Sequence, residues 1–487
     1  MKQLTTTEGP RAGTVFAVTA VGSFMAALDL SIVNVAFPDL EASYPRASQA
    51  SLAWVITAYS IVFGALLVTG GRTGDRIGRR RTFTTGLAVF VAGSFLCGIA
   101  PNVPALVASR VLQGAGAAFL VPASVALLIG AYPTERRTQM VALWGGVGAL
   151  AVATGPSLGA AIVSAGGWRW AFFVNLPIGA VLLVLARRTL SESRADDGAA
   201  HPDYLGAVLI SIALGAMVFA LSEGATWGWA DPRIVTAFVA AVGISALFVR
   251  RSQRHPSPVV DLALFADRSF VTANLATFVY AAGFFAMLLG NILFLTGVWH
   301  YSIMRAGLAV TPGPLVVAVV AGPAGKVASR IGFRPVLAVG AVCFAAGLSW
   351  YVAQVDATPM YLAHWLPGTL VVGLGIGLTF PVLSAAAVSS LPAHRYAVGS
   401  AVNQTARQIG GAIGIAVLVM LLGTPHGTAD AIVRFHHLWT YGAITAALSG
   451  AIGALIPRPA PLADLAGESA SERTLVDTDL ILATDTL

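Results

Sequence analysis

Charge is what this sequence has least of. Of its 487 residues only 10% are Asp, Glu, Lys or Arg, against 56% hydrophobic residues, and the mean hydropathy is +0.79. Water-soluble globular domains carry roughly a quarter charged residues, so that class is excluded and a polytopic membrane protein is expected. Cysteine is nearly absent too. Cys97 and Cys343 lie in apolar runs of separate halves, which excludes a disulfide framework and leaves no zinc site to assemble. No metal and no cofactor is expected. Long polar stretches are missing: 188–202 and 251–269 are short linkers, and 458–487 is a polar tail, expected to be a disordered cytoplasmic segment. None has room for an enzyme or nucleotide-binding domain, so the chain is not expected to be an enzyme, and any energy source must act through the membrane part. The net charge of +7 and pI near 9.7 could suit nucleic acid. The arginines, however, form short clusters between apolar runs and not a continuous basic face, so no nucleic-acid partner is expected.

Long apolar runs are what is there. A hydrocarbon core of about 30 Å takes about 20 helical residues, and a chain in lipid must satisfy its backbone internally. On that rule spans fall near 13–37, 51–70, 82–100, 104–130, 139–165, 170–187, 203–222, 234–250, 270–296, 307–325, 335–353, 361–388, 399–423 and 437–456. The first run carries Asp29 and Asn34 and has no small-x-small cleavage pattern, so it reads as a span and not as a cleaved signal peptide. Fourteen spans put both termini on one side. The segments on the opposite side then hold only Arg46, Arg169, Arg233, Arg305 and Arg434, while nearly all other basic residues share the side of the termini. The positive-inside rule makes that side cytoplasmic.

The most charged loop is Gly71-Arg72-Thr73-Gly74-Asp75-Arg76-Ile77-Gly78-Arg79-Arg80-Arg81, between two runs without charge. It recurs 254 residues later as Gly325-Lys326-Val327-Ala328-Ser329-Arg330-Ile331-Gly332-Phe333-Arg334, with Ser329 in the place of Asp75. A looser echo pairs Gly114-x-Gly116 before Pro122 with Gly373-x-Gly375 before Pro381. The repeat predicts two six-helix bundles, 13–187 and 270–456, joined by 188–269 with a two-helix insert, and followed by the tail 457–487. Paired bundles suit alternating access about a central site.

Few residues inside the spans can carry chemistry. Asp29 is an acid in the interior of a span, where an ionised carboxylate is costly unless it meets a partner or a wet cavity. Arg110 lies at a matching depth in the fourth span, so protonation of Asp29 could weaken the pair and bias a two-state element. A purely structural ion pair is the alternative. Arg407, deep in the thirteenth span, either balances negative substrate groups or satisfies helix-end carbonyls. Glu223 reads as interfacial. Gly155 and Pro156 mark a pliable packing face in the fifth span. Met25, Trp54, Tyr59, Trp144, Tyr280 and Phe284 would suit an adaptable apolar pocket, with Asn34, Gln113 and Asn291 as polar anchors.

With those residues in view, the chain resembles the major facilitator superfamily, and within it the fourteen-helix drug:proton antiporters. The motif Gly71-x-x-x-Asp75-Arg76-x-Gly78-Arg79-Arg80 is similar to the superfamily's loop after helix 2, in which the acid and arginines latch helix ends during switching. Leu28-Asp29-x-x-Ile32-Val33-Asn34-Val35-Ala36-x-Pro38 resembles the first-helix motif whose acid is associated with proton coupling. Arg110-x-x-Gln113-Gly114-x-Gly116 resembles the fourth-helix motif, Gly155-Pro156-x-x-Gly159 the fifth-helix antiporter motif, and Trp168-Arg169-Trp170-x-Phe172-x-x-Asn175-x-Pro177 the segment after it. Thr73, at a usually aliphatic place, and Ala160, in place of a glycine, depart from the pattern.

The resemblance implies a proton-coupled exporter of lipophilic or amphipathic compounds, such as several drugs, in a bacterial inner membrane. Its expected partners are protons, small molecules and membrane lipids, and it is expected to be a monomer. A dedicated exporter or flippase of a lipid, siderophore or antibiotic is the alternative, and a non-transporting membrane sensor a more distant one. A single central acid argues against efficient extrusion of dications.

Overall fold

The computed structural model describes residues 10–194, 201–256, 258–391 and 396–457, and the described residues are helical with no strand. The polar tail expected to be disordered lies outside them from residue 458 onward. The first half comprises α1 (Pro10–Ser43), α2 (Gln49–Ile77), α3 (Arg79–Gly98), α4 (Val103–Ala131), α5 (Thr134–Gly166), the single turn α6 (Trp170–Phe173) and α7 (Asn175–Thr189). Next come α8 (Tyr204–Trp227) and α9 (Pro232–Arg254). The second half holds α10 (Arg268–Gly297), α11 (Ile303–Val310), α12 (Pro312–Ile331), α13 (Phe333–Gln354), α14 (Leu366–Val388), α15 (Tyr396–Leu422) and α16 (Thr428–Gly453). Twelve helical segments of the described residues are long and apolar enough to cross a membrane. The helices at the expected fifth and last spans, α5 and α16, are 33 and 26 residues long but fall outside that set. Asp430, Arg434, His436 and His437 make the first turns of α16 polar.

Local signals explain where the helices begin. Asn102 Oδ1 accepts the Ala105 amide at 2.9 Å ahead of α4, Asp203 Oδ1 accepts the Gly206 amide at 2.7 Å ahead of α8, and Asp267 Oδ1 accepts the Phe270 amide at 2.7 Å ahead of α10. Each satisfies an amide that the first helical turn leaves without an acceptor. The breaks inside the repeated loops fall at Gly78, with φ 118°, and at its counterpart Gly332, with φ 88°, a region that side chains with a Cβ rarely enter.

The repeat extends into packing. A Cβ on Gly116 of α4 would lie 2.8 Å from the Gly86 carbonyl of α3, and one on Gly375 of α14 would lie 2.8 Å from the Gly340 carbonyl of α13. Gly86 and Gly340 are 254 residues apart, as are Phe90 and Phe344, whose backbones face the same two glycines. Small residues let these helix pairs approach closely where no hydrophobic force drives association in lipid.

Helices α1–α7 pack on one another, and so do α10–α16. Where α1 packs on α10 and α11 the halves touch, and they meet further along two seams. Along one seam α15 lies on α2, where Thr405 Oγ1 donates to the Gly64 carbonyl at 2.7 Å, and α8 rests on both helices. Elsewhere α5 meets α11 and α12: the hydroxyls of Ser157 and Thr311 are 2.6 Å apart, and Gly307 sits against Pro156 and Ala160. This second contact lies toward the face opposite residues 71–81.

Candidate functional site

Asp29 on α1 and Arg110 on α4 meet, as their depths suggested. Arg110 Nη1 donates to Asp29 Oδ2 at 2.5 Å, and both side chains are fully buried. Transfer of such a pair out of water is costly unless further hydrogen bonds complete it, and residues of α2, α4 and α7 supply them. Gln113 Nε2 and Asn175 Nδ2 donate to Asp29 Oδ1 at 2.8 and 3.3 Å, and Arg110 Nε donates to the Val55 carbonyl of α2 at 2.8 Å. Arg110 Nη1 also donates to Gln113 Oε1 at 2.7 Å. Ser94 Oγ on α3 accepts from Gln113 at 3.2 Å and from Asn175 at 3.0 Å, and donates to the Phe172 carbonyl at 2.9 Å. The Arg110 guanidinium lies 4.2 Å from the centre of the Tyr59 ring, a cation–π arrangement.

The pair ties α1 to α4, and Arg110 is held besides by the Val55 carbonyl, Gln113 and the Tyr59 face. Gly155 and Gly159 of α5 pack on Ser31 and Ile32, one turn beyond Asp29, and Pro156 of the same helix reaches α11. Helix α5 thus touches both α1 and the other half.

At the opposite end of α2 the charged loop is clasped by the chain leaving α7. Glu192 Oε1 and Oε2 accept the amides of Arg80 and Arg81 at 3.0 and 3.2 Å, and the Arg79 amide donates to the Ser193 carbonyl at 2.9 Å. A carboxylate there meets the amides and the positive end of the α3 dipole. Asp75 pairs with Arg79 across the break at 3.0 Å, Arg76 makes polar contacts with both ring nitrogens of His201, and Thr73 and Tyr204 share a hydroxyl contact of 2.9 Å. Gly71 lies against Pro122. Thr73, the departure from the usual aliphatic pattern, thus has a hydroxyl partner on α8.

The expected pocket residues do not converge on one place. Tyr59 and Gln113 belong to the ion-pair network. Tyr280, Phe284 and Arg407 come together around Phe380 of α14: its ring centre lies 5.0 Å from Tyr280, 5.2 Å from Phe284 and 5.6 Å from the Arg407 guanidinium carbon. Met25 is buried in a core with Phe83 and Phe90, Trp54 packs where α2, α8 and α15 meet, and Asn291 accepts Trp439 Nε1 at 3.0 Å. Asn34 Nδ2 donates to its own helix at Leu30, and half-buried Trp144 donates to the Thr19 carbonyl at 3.4 Å. Glu223, read as interfacial, is buried. The sequence reading missed Ser94 and Glu192 and gave Asn175 no role. A small polar residue in an apolar run and a single acid in a linker are ordinary until their neighbours are known.

A polytopic helical protein with two similar halves and a polar network buried inside one of them has the architecture of a membrane transporter. The sequence model of the Major Facilitator Superfamily matches residues 19–415, and the chain belongs to that superfamily. It is 34% identical over 408 residues to the multidrug resistance protein Stp of Mycobacterium tuberculosis, covering 83% of this chain and 74% of that one. It is 32% identical over 441 residues to the methylenomycin A resistance protein of Streptomyces coelicolor, covering 90% and 89%, and 32% identical over 410 residues to the tetracenomycin C resistance and export protein of Streptomyces glaucescens, covering 84% and 75%. Among solved structures it superposes on a D-xylose–proton symporter with a TM-score of 0.66 at 14% identity, over 92% of this chain and 98% of that one. The fold is that of a major facilitator transporter, a multi-pass membrane protein and not an enzyme.

Proposed function

We propose that this chain is a proton-coupled exporter of lipophilic or amphipathic compounds in a bacterial inner membrane, working as an antiporter by alternating access. In this reading it is a monomer in contact with membrane lipids and belongs to the fourteen-helix drug:proton antiporters, with α5 and α16 as further spans and both termini cytoplasmic. Their packing on α1 and on α10 and α13 supports the count, and the arginine-rich loops support the orientation. The bundles are 13–187 and 270–456, with α8 and α9 as an insert at the α2/α15 seam. The observation that carries the reading is the enclosed Asp29–Arg110 pair, held by Gln113 and Asn175 on a helix that α5 links to the other half.

A proton arriving from the periplasmic side neutralises Asp29, releases Arg110 and lets the α5–α11 contact open. Return of the proton to the cytoplasm restores the pair. Gly71, Asp75, Arg76, Gly78, Arg79 and Arg80 latch the cytoplasmic helix ends, while Gly155 and Pro156 transmit the shift. A dedicated exporter of one antibiotic or lipid is the second reading, favoured by the relatives named for resistance to single compounds.

The test uses energised inverted vesicles and a panel of neutral, cationic and anionic lipophilic fluorophores, ethidium among them, comparing wild type with Asp29→Asn at equal folded protein. Protonophore-sensitive movement that disappears in the variant is the expected result. Full transport by Asp29→Asn would remove Asp29 from coupling, and no movement of any fluorophore in wild type would favour the dedicated exporter.

A further inference from the structure

Asp29 and Arg110 neutralise one another, which leaves Arg407 as the deep basic side chain without a carboxylate among the described residues. It sits eleven residues into α15 from Tyr396, about 16 Å along the helix, and it is partly buried. Its head is turned toward α10 and α14 and not toward lipid, since the guanidinium lies over Phe380, which contacts Tyr280 and Phe284. Gln404 Oε1 accepts from Arg407 Nη2. That partner is a neutral side chain and not a helix-end carbonyl, so helix-end capping does not explain the arginine.

One turn nearer the loop face, on the same side of α15, Asn403 Nδ2 donates to Asn274 Oδ1 at 3.2 Å and to Thr277 Oγ1 at 2.9 Å, and Ser384 Oγ donates to Asn403 Oδ1 at 3.2 Å. The arginine thus stands between a hydrogen-bonded polar floor and an aromatic wall. An uncompensated guanidinium in a low-dielectric site attracts an anion more strongly than it would in water and repels a cation. Among the described residues the fully enclosed central carboxylate is that of Asp29, which is committed to Arg110 and cannot offset Arg407.

We infer that the export site prefers amphipathic aromatic anions, with the acidic group on Arg407 and the ring system against Phe380 and Phe284, which Tyr280 backs from within the core. The inference rests on the exporter reading and names the substrate class of that site.

Binding to the purified full-length chain in detergent tests it, using 9-anthracenecarboxylate, 9-anthracenemethanol and 9-anthracenemethylammonium as probes of one shape and three charges. The carboxylate is expected to bind best. Arg407→Gln should weaken it by about tenfold, the scale of one charge-assisted hydrogen bond, and leave the alcohol within about twofold. Arg407→Lys should restore part of the loss, and monodisperse elution with an unchanged melting point verifies the fold of both variants. Equal affinities for carboxylate and alcohol in wild type, or a carboxylate affinity untouched by Arg407→Gln, would overturn the inference. Proton-driven flux of the same probes separates the two readings. Flux indifferent to probe charge sinks the anion preference alone, whereas charge-selective binding without proton-driven flux sinks the antiporter reading alone.

Discussion

Arg110 and Asp29 do not contribute symmetrically to stability. Arg110→Gln leaves a buried carboxylate without its counter-charge, at a cost of about 3–5 kcal/mol, and purified protein should melt markedly earlier. Asp29→Asn should cost less, because Arg110 keeps the Val55 carbonyl, Gln113 Oε1 and the Tyr59 ring; equal losses in the two variants would contradict this. The same substitution should flatten the dependence of transport on the pH gradient, measured in vesicles clamped at several external pH values. Ser94→Ala removes a hydroxyl that serves Gln113, Asn175 and the Phe172 carbonyl, and should lower stability by about 1–3 kcal/mol, visible as a lower melting temperature. At this scale the sequence exposed the two charges, because charge inside an apolar run is conspicuous. Ser94 and Asn175 were not legible as network members, because their importance comes only from which helices face them.

Gly78 shows how an element boundary becomes a fastening. Its positive φ ends α2, and a Cβ there would run into the Glu192 carboxylate. Glu192→Ala should free the α3 amides, costing about 0.5–2 kcal/mol as helix caps do, and should speed cleavage of the segment after α7 in limited proteolysis. Unchanged cleavage would show that the clasp does not hold that segment. The second repeat carries the glycine without the Asp75–Arg79 pair: Ser329 stands in the place of Asp75, its hydroxyl donates to the Lys326 carbonyl, and Phe333 stands in the place of Arg79. Helix positions and the repeated turn followed from hydropathy and glycine spacing. The partner of the turn did not, because linker residues 190–194 have no periodicity that places them.

For the whole molecule, the α5–α11 contact joins the halves on the face away from residues 71–81. Cysteines replacing Ser157 and Thr311, whose hydroxyls are 2.6 Å apart, are within the reach of a disulfide. Oxidation should crosslink them and reduce export to background, and reductant should restore it. Full export by the crosslinked protein would mean that this contact stays closed throughout the cycle.

By itself the sequence determined the membrane class, the approximate helix positions, the two-fold repeat and how far along its helix each intramembrane charge lies. It could do so because hydrophobic length and charge are read along one dimension, at about 1.5 Å per helical residue. Only the tertiary structure decided which charges meet. Depth says nothing of the direction a side chain takes around its helix, nor of which helix stands beside it. The packing of α1 on α4 and α7 brings Asp29 to Arg110, and that of α15 on α10 and α14 leaves Arg407 facing aromatic rings.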